Sequence, residues 1–240
     1  MYWLSYGGGI NSTALAILLI ENKLPQYVPF RVLFSDTGNE KDETYNFIEK
    51  EFKPYLTKKG VRLEVIKPAE TVLEQWQRLK VTGSRIIRSC TKNAKIKPIN
   101  SYINENGGGQ QLIGIDAGEW HRVRNDKNKH YPLVDLNIDR KKCVEIIRSA
   151  KLSIPIKSGC WCCPFSRVAE IINLAQSDPC KFSKIDNLEK IANVTHGFLK
   201  NGMARNQWHD KPASYWKRRA SQGDLFEDKF IEMPCDCYDG

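Results

Sequence analysis

The sequence predicts an α/β fold, with a doubly wound and mainly parallel sheet followed by a C-terminal, cysteine-rich and mostly helical extension. Short apolar runs alternate with segments of helical periodicity, and glycine-rich or acidic motifs follow those runs. The alternation favours parallel strands whose two faces are both covered by helices. Ligands of such sheets bind at the carboxyl ends of the strands, so we expect the functional residues there.

Four apolar runs are predicted strands, and each predicted helix follows one of them or links two. Asn11 and Ser12 are expected to cap the first helix, because both residue types favour that position. Beyond the last predicted helix the chain becomes rich in Pro, Gly and Cys, so we place a boundary near residue 155 and predict domains 1–155 and 156–240. The strands are 1–6, 30–35, 61–66 and 111–115, and the helices are 12–20, 42–58, 68–80, 92–104 and 138–151.

Composition narrows the class of protein. The chain has 240 residues, of which 41% are hydrophobic and 27% charged, as in ordinary globular proteins. No apolar run reaches the roughly 20 residues that span a bilayer, and no signal-like segment opens the sequence, so we expect a cytoplasmic protein with no membrane partner. The net charge of +9 favours polyanionic partners, and the eight cysteines favour metal or redox chemistry over disulfides.

The segment SYGGGINST (5–13) is the strongest functional signal. Three glycines between a strand and a helix let backbone amides converge, and the helix dipole adds positive potential, so the expected ligand is a phosphate. The spacing fits neither the Walker pattern nor the dinucleotide fingerprint. A glycine turn that merely packs the helix on the sheet is the alternative.

Further motifs follow the other predicted strands and helices. SDTGNE (35–40) follows the second strand, RSCTKNAKIKP (88–98) the third helix, and DAGEWHRVR (116–124) the fourth strand. GCWCCPF (159–165) lies beyond the expected domain boundary. Its C-x-x-C spacing lets two thiolates bind one metal ion or cluster.

Taken in order, these motifs resemble the phosphoadenylylsulfate (PAPS) reductase and ATP pyrophosphatase (PP-loop) superfamily, which has an adenine nucleotide alpha hydrolase-like fold. The resemblance covers roughly residues 1–170 and extends in particular to compact iron–sulfur members, a group that includes the ATP pyrophosphatases of DNA phosphorothioation. It implies that Asp36 and Thr37 lie near the ribose or phosphates. It also implies that the phosphate cradle is formed by Ser5, Gly7, Gly8, Gly9, Asn11, Ser12 and Thr13.

The resemblance also suggests the reacting residues. Asn11 stands where the superfamily usually has Asp, and we expect Asn11, Asp36 and Arg122 to take part in catalysis. The loop after the fourth strand resembles the superfamily's substrate loop. Its charged residues are candidates to bind Mg²⁺ or the reacting anion, or else form an ordinary solvated loop: Glu119, His121, Arg122 and Arg124.

The expected metal ligands are cysteines. Cys160 and Cys163 form the C-x-x-C pair, and the segment around Cys90 resembles the cluster segment of the reductases. Cys143 is the first choice for a fourth ligand, although it shares a helical face with apolar residues and a core position explains it equally. The remaining candidates are Cys180, Cys235 and Cys237. The resemblance favours a [4Fe-4S] cluster, and Zn²⁺ is the alternative.

The expected function is that of an ATP-using, Mg²⁺-dependent enzyme. It would cleave the α–β phosphate bond, adenylate a substrate, release pyrophosphate and prepare the substrate for iron–sulfur-dependent sulfur transfer. DNA or RNA is the expected acceptor, and a sulfur-donor protein is an expected partner. The alternatives are a thiol-dependent reductase of an adenylylated sulfate and a non-catalytic nucleotide-sensing subunit. The run WHDKPASYWKRR (208–219) either grips a nucleic-acid backbone through Lys217, Arg218 and Arg219 or forms a solvated helix face.

Overall fold

The computed structural model describes residues 1–199, 203–209 and 211–222. These residues form two compact units. Unit 1 comprises Met1–Ala69 and Thr91–Gly159, and unit 2 comprises Glu70–Cys90 and the described residues from Cys160 onward. None of the helices in the described ranges is long and apolar enough to cross a membrane.

Unit 1 contains a five-stranded sheet, and all of its strand pairs are parallel. The strand order is β3-β2-β1-β4-β5, so the winding direction reverses between β1 and β4. This confirms the predicted α/β class, and the four predicted strands are present. The fifth strand was not predicted. The strands are β1 (Tyr2–Tyr6), β2 (Phe30–Ser35), β3 (Leu63–Ile66), β4 (Gln110–Ile113) and β5 (Lys129–His130).

Alternate residues of a strand point to opposite faces of the sheet, and each face has its own apolar core. Helices cover both faces. Leu4, Tyr6 and Val32 pack in the larger apolar core, while Trp3 and Leu33 pack in a second core with residues of the helix Lys97–Glu105. A π-helical segment, Ile48–Phe52, joins the helices Asp42–Phe47 and Lys53–Lys58, and another, Lys92–Ile96, precedes Lys97–Glu105. The helices of unit 1 are α1 (Ile10–Ile20), α2 (Asp42–Phe47), α3 (Lys53–Lys58), α6 (Lys97–Glu105), α7 (Pro132–Asp135) and α8 (Arg140–Ser149).

Unit 2 is helical, as the extension was predicted to be, but it contains a segment that was not part of the predicted second domain. The segment 70–90, which the sequence assigned to the nucleotide-binding domain, belongs to unit 2. Its contacts reach residues far along the chain: for example, the Gly83 amide donates a hydrogen bond of 2.7 Å to the side chain of Gln207. The helices are α4 (Val72–Leu79), α9 (Val168–Ser177), α10 (Pro179–His196) and α11 (Ala213–Ser221), and the short helix α5 (Ser89–Thr91) begins in this unit.

Candidate functional site

The glycine segment forms the turn between β1 and α1, as predicted. The helix begins at Ile10 and its N-cap is Gly9, so the prediction that Asn11 and Ser12 cap it is wrong, by two and three residues respectively. The Ser12 hydroxyl accepts a hydrogen bond from the Gly7 amide and donates one to the Gly9 carbonyl, both at 3.2 Å. The Thr13 hydroxyl also donates to the Gly9 carbonyl, at 2.8 Å. Because glycine has no side chain to cap the first-turn amides, those amides remain suited to an anion.

Two positions in this region require glycine. Gly8 has a φ of +74°, and a Cβ there would lie 2.8 Å from the Thr44 side chain. A Cβ on Gly114, just after β4, would lie 2.8 Å from the backbone of Ser12. The carboxyl end of β4 therefore approaches the start of α1 closely, and neither position has room for a larger residue.

The side chain of Asn11, in the first turn of α1, bonds to the loop that follows β4; the winding of the sheet reverses between β1 and β4. The Asn11 amide nitrogen donates hydrogen bonds to Asp116 at 2.9 Å and to Glu119 at 3.4 Å. Glu119 forms an ion pair with Arg122 at 3.0 Å, and the Arg122 side chain is only 6% exposed. Crevices at such reversal points are the usual ligand sites of doubly wound sheets. Asn11 and Arg122, two of the three predicted catalytic residues, thus belong to one network.

This network differs from the predicted substrate loop in two respects. Asp116, which the sequence analysis did not select, is 3% exposed and also accepts a hydrogen bond from the Gly118 amide. An acidic residue directly after a buried strand was the available signal. Burial raises the pKa of Glu119; the Arg122 guanidinium opposes this shift, while the Asp116 carboxylate adds to it. His121 and Arg124 are exposed, unlike Arg122.

The predicted residues after β2 are held by their own turn. One Asp36 carboxylate oxygen accepts hydrogen bonds from the Tyr45 hydroxyl at 2.5 Å and from the Gly38 amide at 2.9 Å. Burial, followed by the hydrogen bond to Asp36, raises the pKa of Tyr45, so its hydroxyl stays protonated. The Thr37 hydroxyl donates to Glu40 at 3.2 Å. One carboxylate oxygen of Asp36 is therefore bonded within this turn, and this fixes the position of the side chain.

A buried ion pair lies beside this turn. The Lys95 ammonium is 3.1 Å from a carboxylate oxygen of Glu40, and the two side chains are only 8% and 0% exposed. Neither residue was selected from the sequence. Lys95 and Ser5 also line a cavity of about 20 Å³ whose other polar lining residues include Lys129. A lysine is therefore present near the first two strands although the glycine loop contains none.

Several buried oxygens around the glycine loop have no hydrogen-bond partner among the described residues. Ser5 lies in β1 and Asn11 in the first turn of α1, while Glu40 lies between β2 and α2 and Thr44 lies in α2. Buried polar atoms are normally satisfied, so such a group indicates a ligand or ordered water. The atoms are the hydroxyl oxygens of Ser5 and Thr44, the amide oxygen of Asn11 and one carboxylate oxygen of Glu40.

Unit 2 contains the predicted C-x-x-C turn. The Cys163 amide donates to the Cys160 carbonyl at 3.0 Å, which closes the turn. The Gln207 side-chain amide donates to the Cys162 carbonyl at 2.5 Å, and the Trp208 indole donates to the Cys163 carbonyl at 3.0 Å. Burial, and then the hydrogen bond with the Cys160 side chain, raises the pKa of Cys162. The backbone of this turn is fixed by residues that the sequence analysis did not select.

The segment that ends in Cys90 is attached to the same turn. The Arg85 guanidinium donates to the Pro164 carbonyl at 2.9 Å, and the guanidinium carbons of Arg85 and Arg88 lie 5.4 and 5.5 Å from the centre of the Phe165 ring. Cys90 thus shares unit 2 with Cys160 and Cys163. Within 1–199, 203–209 and 211–222, however, no three histidine, cysteine, aspartate or glutamate side chains converge as a metal site. The cysteine ligand set therefore stays a prediction.

Cys143 lies in unit 1, in the apolar core formed with α1, and is 0% exposed. Burial raises the pKa of its thiol to about 12, so the thiol is protonated at neutral pH. Metals bind the thiolate, and this environment is that of a core residue, the alternative that the helical pattern had left open. Cys180 is exposed in unit 2, and Cys235 and Cys237 lie outside the described residues.

Comparison with known proteins identifies the family. A search of curated proteins found no match. PAPS reductase from Candida auris, solved as a phosphate complex, is 16% identical with a TM-score of 0.46, covering 64% of this chain and 74% of that one. The U34-tRNA thiolase NcsA from Methanococcus maripaludis, solved with its [4Fe-4S] cluster, is 14% identical with a TM-score of 0.47, covering 91% and 80%. The phosphoadenosine phosphosulfate reductase domain model matches residues 1–131, more than half of the sequence. The chain therefore belongs to the phosphoadenosine phosphosulfate reductase domain family.

Proposed function

We propose that this protein is an ATP pyrophosphatase that adenylates an acceptor. An acceptor oxygen attacks the α-phosphorus, the bond to the bridging oxygen breaks, and pyrophosphate leaves with the electron pair. The observation that carries the proposal is the set of unpartnered buried oxygens around the glycine loop. Two are hydroxyls, which can donate to phosphate oxygens, and two are an amide and a carboxylate oxygen, the ligand types that Mg²⁺ prefers.

Each part of the site has a task in this reaction. The first-turn amides of α1 bind the charge that develops on the leaving pyrophosphate, because preorganised donors stabilise such charge without reorganisation. Asn11 Oδ1, in the first turn of α1, is the proposed Mg²⁺ ligand. When bound, Mg²⁺ neutralises the triphosphate. Asp36, fixed by Tyr45, is proposed to hold the ribose or phosphates, and Arg122 to balance the negative charge around Asn11.

The loop's part in nucleotide binding can be tested with two matched glycine substitutions. Gly8 and Gly60 have φ values of +74° and +73°, so alanine imposes the same backbone strain at both. Gly8→Ala also forces the Thr44 side chain to move, whereas a Cβ on Gly60 meets nothing within 4 Å. We expect calorimetry to show ATP affinity reduced by roughly tenfold or more in Gly8→Ala and unchanged in Gly60→Ala. Equal affinity in the two folded variants would contradict the assignment.

For the second half-reaction we propose sulfur transfer that depends on a [4Fe-4S] cluster bound by Cys90, Cys160 and Cys163. Three properties of the turn fit such a group: the two cysteines of the C-x-x-C spacing share one turn, their backbone is fixed, and two arginines lie over the adjacent Phe165 ring. When bound, the cluster would carry the sulfur. A sulfur-donor protein and a DNA or RNA acceptor complete this proposal, and Zn²⁺ is the alternative metal.

Anaerobic purification followed by iron, zinc and absorption measurements tests the cysteines. Serine substitution at Cys90, Cys160 or Cys163 is expected to abolish iron binding. The fourth ligand is decided by Cys143→Ser, Cys180→Ser and truncation before Cys235, of which one should lose iron as the first three do. One zinc per chain without iron, in iron-replete anaerobic preparations, would contradict the cluster and indicate a structural thiolate site.

The family match itself favours a second candidate, reduction of an adenylylated sulfate. In that reaction a cysteine thiolate would attack the sulfur and displace the adenosine phosphate. The two candidates differ in what they consume: the first releases pyrophosphate from ATP, whereas the second releases sulfite from an adenylylated sulfate in the presence of a thiol reductant. A chain that binds ATP but does neither would be a nucleotide-sensing subunit.

A further inference from the structure

The helix α11 carries a cluster of positive charge that the proposed reaction does not use. Lys217, Arg218 and Arg219 lie on this helix, Lys211 precedes it, and residues 211–222 contain no acidic residue. The buried side of α11 consists of Ala213, Trp216 and Ala220. The outward side therefore presents Lys217 and Arg218, which are exposed, and two serines. Arg219 and Tyr215 are half-buried, and the Arg219 guanidinium carbon lies 5.9 Å from the centre of the Trp216 ring.

Contacts within unit 2 hold this helix in place. The Gln176 side chain on α9 donates a hydrogen bond of 3.0 Å to the Ala220 carbonyl. The Trp216 indole donates to the Trp208 carbonyl at 3.4 Å, and the Tyr215 ring packs edge-on against Trp216 at 5.0 Å between centroids. The Lys211 ammonium lies 5.7 Å from the centre of the Tyr215 ring. These contacts fix the position of α11, and the Tyr215 ring lies among its positively charged side chains.

The helix α8 is also basic, but its charge pattern is that of an ordinary solvated face and differs from that of α11. On α8, Lys141, Lys142 and Arg148 are exposed, but Lys142 pairs with Glu145 on the same helix at 3.0 Å. Opposite charges that alternate along a helix are typical of a solvent-facing surface. The sequence of α11 itself, Ala213–Ser221, contains no acidic residue, so the charged side chains of this helix all have the same sign, which favours a polyanion.

We propose that the exposed face of α11 binds single-stranded nucleic acid. Lys217, Arg218 and Arg219 contact the phosphates, and Tyr215 stacks on a base. Single strands are favoured over duplexes because an aromatic ring between cations is a stacking platform for unpaired bases. The inference rests on the proposed function only in that nucleic acid is the acceptor there.

Fluorescence anisotropy of the full chain with labelled single strands of about 20 nucleotides tests this surface. The variant K217Q/R218Q/R219Q is compared with K141Q/K142Q/R148Q, which removes the same charge from α8. Each phosphate contact on a single strand contributes about 0.7 to the slope of log affinity against log salt, so loss of three contacts lowers the slope by about 2. Between about 50 and 200 mM salt, that difference is close to a 20-fold change in relative affinity. RNA and DNA probes run in parallel identify the polymer.

Stacking of a base on Tyr215 can be tested separately from the phosphate contacts. Tyr215→Phe keeps the ring and should bind single strands normally, whereas Tyr215→Leu should bind them on the order of tenfold more weakly. Binding of a duplex of the same length should be the same in both. Thermal melts establish that each variant is folded, and Arg218→Gln, a single exposed substitution, replaces the triple variant if that one does not fold.

The inference is overturned if the α11 and α8 variants lose the same affinity and slope, or if duplex binds the α11 face as tightly as single strands do. ATP turnover separates it from the proposed function. If the wild-type protein releases no pyrophosphate but binds single strands through α11, the proposed enzymatic activity is refuted and the proposed binding surface stands. Pyrophosphate release with equal nucleic-acid binding in both triple variants would refute the surface alone.

Discussion

Replacing Asn11 with Asp tests the electrostatics of the candidate site directly. The Asn11 amide nitrogen donates to Asp116 at 2.9 Å and to Glu119 at 3.4 Å, and Asn11 is only 8% exposed. Asn11→Asp puts a third carboxyl group at that point. The neutral amide satisfies both acceptors, whereas an ionised aspartate would repel them.

The size of the effect follows from these distances. Two unit charges 2.9 Å apart repel by about 6 kcal/mol at an effective dielectric constant of about 20. Protonating an aspartate at pH 7 costs less, about 4 kcal/mol, since its ordinary pKa is about 3.9. The new carboxyl group therefore takes up a proton, and its folded-state pKa is raised. The cost exists only above the unfolded pKa, so it falls from about 4 kcal/mol at pH 7 to about 1.5 kcal/mol at pH 5.

Urea denaturation of the wild type, Asn11→Asp and Asn11→Ala at about pH 5 and pH 7 measures this difference. The alanine variant loses the two hydrogen bonds to carboxylates, which costs about 1.5–3 kcal/mol each at either pH. Only the aspartate variant should become markedly less stable as the pH rises. A pH-independent loss in Asn11→Asp would mean that Asp116 and Glu119 do not surround residue 11 as described.

Three other perturbations have defined outcomes. Burial raises the pKa of Glu189 to about 7 from 4.5. Between pH 4.5 and 7 the unfolded chain loses this proton while the folded protein retains it, so stability should rise by about 3 kcal/mol as the pH falls from 7 to 4.5 in thermal melts. Glu189→Gln should lack this trend; an unchanged trend would assign it to another group. Gln207→Leu leaves the Gly83 amide and the Cys162 carbonyl unpaired, so denaturation should show a loss of about 2–5 kcal/mol and thiol reagents should reach the turn faster; normal stability and reactivity would refute its positioning role. Asp36→Ala should lower both ATP affinity by calorimetry and the melting temperature; lower stability with normal affinity would make Asp36 a turn residue only.

Local patterns predicted most of unit 1. The apolar runs at 30–35 and 61–66 are long enough to show strand character, and the glycine triplet marks the turn before α1. Strand β5 has two residues, Lys129–His130, and is too short and polar to show any pattern. The N-cap was misplaced because side chains of Asn and Ser suit that position locally, whereas Asn11 bonds instead to Asp116, 105 residues away.

Long-range contacts explain the rest. Segment 70–90 joins unit 2 through contacts with residues far along the chain, such as the Gly83–Gln207 hydrogen bond across 124 residues, which no sequence window contains. The Lys95–Glu40 ion pair is buried by folding and looks like ordinary surface charge in the sequence. The helical face of Cys143 fits a core cysteine and a metal ligand equally, and its burial in the described structure could not be read from spacing.

The proposal that this chain cleaves the α–β bond of ATP is tested most directly by the position of the cut. Wild-type protein is incubated with Mg²⁺, ATP labelled at the α-phosphate and single-stranded nucleic acid, and the labelled and unlabelled products are separated. We expect equal amounts of pyrophosphate and of adenylyl product, as AMP or as adenylylated acceptor, with Gly60→Ala active and Gly8→Ala not. ADP and inorganic phosphate as the products, or equal activity in the two glycine variants, would contradict the proposed reaction.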